Sequence, residues 1–229
     1  MMTLTTLKMM LWRTIKQTQY AFVRMSLAVI PTMGDGSCFF HALLEATSVH
    51  YRALPERSSE RSLMATRVRN DIADSLGRVD PSTGLRLYDT IGGGILAEMS
   101  QVQVGSISYT LAGLERLLRN PHQCVGDEVF LIAAHYFNVR IYFVRTRGDH
   151  FELIDSVGDR GPVVVLHGTG YHYELVALNE GGRIIRTFAL DHSFLDRFKG
   201  GRRVSHTSRR TNLVAPNLHK RATLARRRA

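Results

Sequence analysis

The sequence predicts an α+β fold in which one mixed β-sheet is flanked by helices, and three observations predict it. Apolar residues recur at helical spacing through the first half of the chain. Short β-branched and aromatic runs, broken by Gly or Asp, fill the second half. Between the start and the helices lies a tight turn, Gly34-Asp35-Gly36-Ser37, that leads straight into an apolar stretch at Cys38. Helices early and strands late favour a sheet covered by helices over an alternating, doubly wound architecture.

Each element follows in order. Residues 26–30 read as a short apolar strand entering the turn. From Cys38, the clustering of Phe39, Phe40, Leu43 and Leu44 is that of a buried helical face. Residues 58–77 form a second helix, with Leu63, Val68, Ile72 and Leu76 on one stripe and Arg and Asp opposite. Residues 80–84 are a loop, and the glycines at 92–94 a flexible break. Helices are expected over 109–119 and 127–137, then strands over 139–144, 151–154, 163–166 and 173–178. No internal repeat is present.

Composition narrows the function classes. The 229 residues are 44% hydrophobic and 22% charged with 6 Pro, which excludes collagenous, mucin-like and wholly disordered chains. No apolar run approaches the roughly 18–20 residues of a membrane-spanning helix. Two cysteines make no disulfide framework and suit a reducing compartment, so a cytoplasmic location is expected. The net charge of +10 is unevenly placed: residues 197–229 hold 11 basic residues and no acid, and residues 1–34 hold 4 and none. The centre carries 15 basic residues against all 20 acids and is net acidic. The expected organisation is therefore a basic N-terminal extension over 1–26, a globular domain over 27–196 and a basic, disordered tail over 197–229. The N-terminal extension has some flavour of a transit peptide, but arginine is sparse and no cleavage site follows. The tail could contact nucleic acid or an anionic surface, or act as a nuclear address.

Gly34-Asp35-Gly36-Ser37-Cys38 carries the chemistry. A thiol near pKa 8.5 is mostly protonated at neutral pH, and a place in the first turn of a helix favours its thiolate. Backbone N–H groups around Asp35 and Cys38 could hold an oxyanion. The same pattern also fits a cysteine that is only a small buried apolar residue. For a base, His172 stands out, because Gly170 and Tyr171 lead through it into the alternating strand at Tyr173. Glu174, two residues on, would share its face and could orient the imidazole; a solvated strand residue is the competing reading. His41 is read as a structural helix residue that runs away from the loop, and Cys124 as buried. No spacing suggests a metal or nucleotide site, so no cofactor is expected.

The stretch Gly34-Asp35-Gly36-Ser37-Cys38-Phe39-Phe40-His41-Ala42-Leu43 resembles the nucleophile signature of the ovarian tumour (OTU) cysteine proteases. Val125-Gly126-Asp127-Glu128 through Ile141-Tyr142-Phe143-Val144 is similar to that family's second block, and His172-Tyr173-Glu174 to its third. Cys38 and His172 are 134 positions apart, and the resemblance spans residues 27–178. It implies a papain-like fold and a deubiquitinase that hydrolyses isopeptide bonds after the C-terminal glycine of ubiquitin or a ubiquitin-like modifier. Cys38 is then similar to the nucleophile, His172 to the general base, Asp35 to the loop residue whose backbone helps bind the oxyanion, and Glu174 to the group that orients histidine. Viral members of the family are compatible with a short domain and a basic tail, which would place the protein in a host cell. Two departures stand out: Glu174 replaces Asn or Asp, and Val125 replaces tryptophan. An inactive ubiquitin-binding relative and a nucleic-acid or virion-associated protein are the competing classes.

Overall fold

A computed structural model describes residues 25–198, except 92–93, 95, 97–102, 105–106, 149 and 171. The expected features of the N-terminal extension before residue 25, of the tail beyond 198 and of Gly92 and Gly93 lie outside the described residues. Strand β1 (Met25–Ile30) precedes helices α1 (Cys38–Thr47), α2 (Val49–Ala53), α3 (Ser59–Leu76) and α4 (Leu87–Thr90). A small hairpin, β2 (Gln103–Val104) and β3 (Ile107–Ser108), leads to α5 (Leu111–Arg119) and α6 (Asp127–Phe137). Strands β4 (Arg140–Arg147), β5 (His150–Val157), β6 (Val163–Gly168), β7 (Tyr173–Glu180) and β8 (Arg183–Ile185) follow, and a 3₁₀ turn, Ser193–Arg197, comes last.

Local chemistry sets the helix ends. Ser58 caps α3 by accepting from Arg61 N–H, and Thr110 caps α5 by accepting from Gly113 N–H. Asn138, left-handed at φ 51°, stops α6. The acids Asp127 and Glu128 stand in the first turn of α6, where the helix dipole favours them. Helix α1 differs: the Ser37 hydroxyl makes no cap and donates instead to Pro121 O at 3.0 Å.

The six-stranded sheet runs β1-β7-β6-β4-β5, with β8 beside β7, and only the β4–β6 pair is parallel. The architecture is α+β with a mixed sheet. Its central strands are covered on both faces, which is why they read as unbroken apolar runs. Ile141, Phe143, Val164, Leu166 and Leu175 pack against Phe39, Phe40, Leu43, Ile72 and Phe130 of the helices. Tyr142, Val144, Val163, Val165, Val176 and Leu178 face the other way, under Phe188, Phe194, Leu195 and Phe198.

Strand β8 and the 3₁₀ turn were not legible as elements, because short segments carry no periodicity. The second core continues through Phe198, which is 4% exposed and accepts from Leu153 N–H, past the expected boundary at 196. Two features of α3 differ from expectation. Leu63 is 57% exposed, whereas Arg69, placed by its charge on the solvent side, is fully buried. No helix of the described residues is long and apolar enough to cross a membrane.

Candidate active site

Cys38 opens α1 and is 4% exposed. Its sulfur meets the backbone N–H groups of Tyr173 and Phe39, both of which favour the thiolate. Burial outweighs them and pushes the thiol up from its ordinary value, with Cys124 and Asp35 adding to the effect. The helix start was expected to lower it. Desolvation wins because Cys38 is buried at the helix start rather than standing at an open helix end.

The contact with Tyr173 N–H brings the nucleophile loop to the start of β7, at the residue that follows His172. His172 lies just ahead of β7 and is partly exposed. Its ring partner is Thr32, with Oγ1 3.4 Å from Nε2. The Thr32 hydroxyl donates to Tyr173 O at 2.6 Å, so toward His172 its oxygen is an acceptor. In the neutral ring, Nε2 then carries the proton and Nδ1 is the basic nitrogen. Thr32 has no sequence signal of its own, since it lies in the connection from β1 and meets His172 only through the fold.

Glu174 is placed differently from expectation. It is the cross-strand partner of His167, and its Oε2 lies 3.3 Å from His167 Nδ1. His167 Nε2 in turn lies 3.0 Å from Thr146 Oγ1. The same-face argument fails because His172 precedes the strand, so the period of two begins only at Tyr173. His167 lies just past the expected end of its strand at 166, and the unbroken apolar run before it gives no sign of the partnership with Glu174.

The turn before Cys38 is held from several sides. The Asp35 carboxylate accepts from Ser37 N–H at 3.0 Å, Ser62 Oγ at 2.9 Å and His41 Nε2 at 3.0 Å. Burial works to raise the Asp35 carboxyl, but His41, Ser37 and Ser62 together hold it below the ordinary carboxylate value. Ser37 N–H is committed to this carboxylate, so an oxyanion would have to be met by the neighbouring N–H groups. Gly36 has φ +91°, and a Cβ there would come within 2.5 Å of the His122 carbonyl, so both its handedness and the space require glycine.

Arg69 holds the other side of the turn. Its guanidinium donates to Gly36 O and Ser37 Oγ, both at 3.3 Å. It also donates to Leu118 O and Leu117 O at 2.8 Å, Asn120 O at 2.5 Å and Gln123 O at 3.0 Å. Burial lowers its pKa to about 10, so it remains a cation at neutral pH. One side chain thus collects the carbonyls at the end of α5 and joins them to the nucleophile turn.

Two further readings change. His41 does not run away from the loop: it is fully buried and reaches back to Asp35, because helical side chains tilt toward the helix N-terminus. Cys124 is exposed rather than buried, since it lies in the loop that Arg69 holds against the turn. Val125 fills its place in the core at 7% exposure, so the smaller residue leaves the position packed. Among the described residues, no group of three or more His, Cys, Asp or Glu could hold a metal ion.

Fold and site together define an α+β protein with a buried cysteine at a helix start, in contact with the strand start that a partly exposed histidine precedes. In structure the chain is similar to an OTU domain solved in complex with ubiquitin, at 13% identity and TM-score 0.49, covering 76% of this chain and 81% of that one. It is also similar to an OTU deubiquitinase from Wolbachia pipientis wMel bound to ubiquitin, at 17% identity and TM-score 0.38, covering 68% and 96%. A third likeness is to the Hazara virus OTU bound to ubiquitin, at 17% identity and TM-score 0.35, covering 66% and 81%. No family model and no curated protein matches the sequence.

Proposed function

We propose that this chain is a cysteine-type isopeptidase that hydrolyses the bond after the C-terminal glycine of ubiquitin or a ubiquitin-like modifier. The observation that carries the reading is the meeting of Cys38 with the start of β7, where His172 stands, beside a turn held by Asp35. The sequence resemblance to the OTU signature at the same residues supports the choice of substrate.

In this mechanism His172 Nδ1 takes the Cys38 proton as the sulfur attacks the glycine carbonyl. The raised thiol makes this a general-base step rather than an attack by a standing thiolate. Backbone N–H groups of the turn, near Asp35 and Cys38, hold the oxyanion. Collapse expels the lysine amine, which takes the proton from His172, and leaves a thioester. His172 then removes a proton from water, which attacks the thioester and releases the glycine carboxylate and the thiol. Thr32 orients the ring through Nε2, while Glu174 is engaged by His167.

An ubiquitin carrying an electrophile at its C-terminus tests the reading. Covalent labelling is expected and is lost in Cys38→Ala. A wild-type protein that binds ubiquitin without labelling would instead support an inactive ubiquitin-binding protein. The raised thiol and the engagement of Glu174 by His167 are the observations in that reading's favour. Removal of residues 199–229 separates both from a protein that acts through its basic tail: labelling is expected to survive, and any nucleic-acid binding to be lost.

A further inference from the structure

The nucleophile turn is attached to a buried proton-bonding chain that the mechanism above does not use. His41 stands between Asp35 and Tyr51, with Nε2 3.0 Å from Asp35 Oδ2 and Nδ1 2.7 Å from the Tyr51 hydroxyl. His41 is 0% and Tyr51 2% exposed. The order of protons follows from the partners. An ionised Asp35 can only accept, so His41 Nε2 carries a hydrogen; in the neutral ring Nδ1 is then bare, and Tyr51 O–H donates to it. The chain therefore runs Tyr51 O–H to His41 Nδ1, and His41 Nε2–H to Asp35.

Its far end is anchored as firmly as its near one. The Arg61 guanidinium lies over the Tyr51 ring, 4.6 Å from its centroid. Arg61 is tied to Glu45 at 3.5 Å, and Glu45 also takes Arg186 at 3.1 Å. Tyr51 lies on α2, the N-terminus of which is capped by Ser48, so the phenol has little freedom to move off His41. At the near end, the Asp35 carboxylate that receives His41 is the same one that accepts Ser37 N–H and so sets the peptide planes of the turn.

We infer that Tyr51 and His41 are positioning residues that hold the Asp35 carboxylate, and through it the oxyanion-binding turn, in working geometry. The inference rests on the isopeptidase reading for its catalytic consequence but not for its structural one. Without the Tyr51 hydroxyl, the bare Nδ1 is left buried and unpaired, and His41 is free to change tautomer or tilt away from Asp35. The turn then samples other orientations. Cys38 remains where α1 puts it.

Tyr51→Phe in the full chain, with His41→Gln as a second variant, tests this by two measurements. Amide hydrogen exchange at Ser37 is expected to rise by about tenfold in Tyr51→Phe, the loss of roughly one hydrogen bond, with β6 and β7 amides unchanged. Cleavage of a fluorogenic ubiquitin C-terminal amide is expected to fall by about tenfold in kcat at constant KM, while alkylation of Cys38 by iodoacetamide keeps its wild-type rate. Unchanged exchange at Ser37 overturns the inference. So does a uniform rise across the sheet, or a change confined to KM. A wild-type chain that cleaves nothing sinks the isopeptidase reading alone, because the exchange result still decides whether Tyr51 holds the turn.

Discussion

The two halves of the candidate site are built in opposite ways. The nucleophile half, residues 34–38, is packed and held by several independent contacts: Asp35 to Ser37, Ser62 and His41, and Arg69 to Gly36 and Ser37. The base half is partly exposed, and the ring of His172 meets one hydroxyl at 3.4 Å, near the limit of a hydrogen bond. The difference teaches a division of labour. A turn that must present N–H groups to a developing negative charge gains from rigidity, because preorganised dipoles need no rearrangement at the moment of reaction. A base that takes a proton, returns it and then activates water must serve several partners in sequence. A light hold suits that task.

Experiments that break this comparison run from large effects to small. Cys38→Ala is expected to abolish cleavage and labelling outright, and His172→Ala to lower turnover by about 10²–10⁴-fold while iodoacetamide still reaches the thiol. Equal loss of alkylation in His172→Ala would mean that the histidine shapes the cysteine's site rather than serving as its base. Arg69→Met should cost about 3 kcal/mol or more in urea unfolding, since several buried carbonyls, each worth about 1–3 kcal/mol when unpaired, lose one donor. A loss below about 1 kcal/mol would show that water replaces the guanidinium there.

The base half should respond more mildly. Thr32→Val is expected to lower kcat about five- to tenfold, the value of one hydrogen bond of about 1 kcal/mol, and Glu174→Gln to change it less than about twofold. The reverse order would return the orienting role to Glu174. The pH profile sharpens the contrast further. Because burial raises the Cys38 thiol, less thiolate is present at neutral pH, and its alkylation rate should keep climbing above about pH 8.5, where a free cysteine is half ionised. Measured in a Cys124→Ser background so that one thiol reports, a midpoint below that of free cysteine would show that the helix start and the two N–H donors outweigh burial. Cys124→Ser itself, at an exposed loop position, should change unfolding stability by no more than about 0.5 kcal/mol.

Much of the scaffold was legible. Helix α6 spans the residues 127–137 expected of it, and strands β4, β6 and β7 contain the apolar runs expected of them. The strands run two to four residues longer than their apolar segments, because backbone pairing continues after burial ends. The errors share a cause. Arg69 was placed outside by its charge, His41 was aimed away from the loop, and Glu174 was assigned to His172 by a strand period that does not extend that far. Each reading used a residue's own element and missed the partner supplied by another: the α5 carbonyls for Arg69, Asp35 for His41, and β6 for Glu174.

By itself the sequence determined that a cysteine opens an apolar helix after a glycine turn, and that a histidine stands at the entry to a buried strand. It also determined that the basic charge lies at the two ends. These are local facts of spacing, turn chemistry and composition. Only the tertiary structure decided how the thiol titrates, which group touches His172, what holds the turn, and that a fully buried arginine joins the turn to the end of α5. Desolvation and hydrogen-bond partnership depend on which distant segments come together, and contacts such as Thr32 with His172, 140 positions apart, leave no periodic mark along the chain.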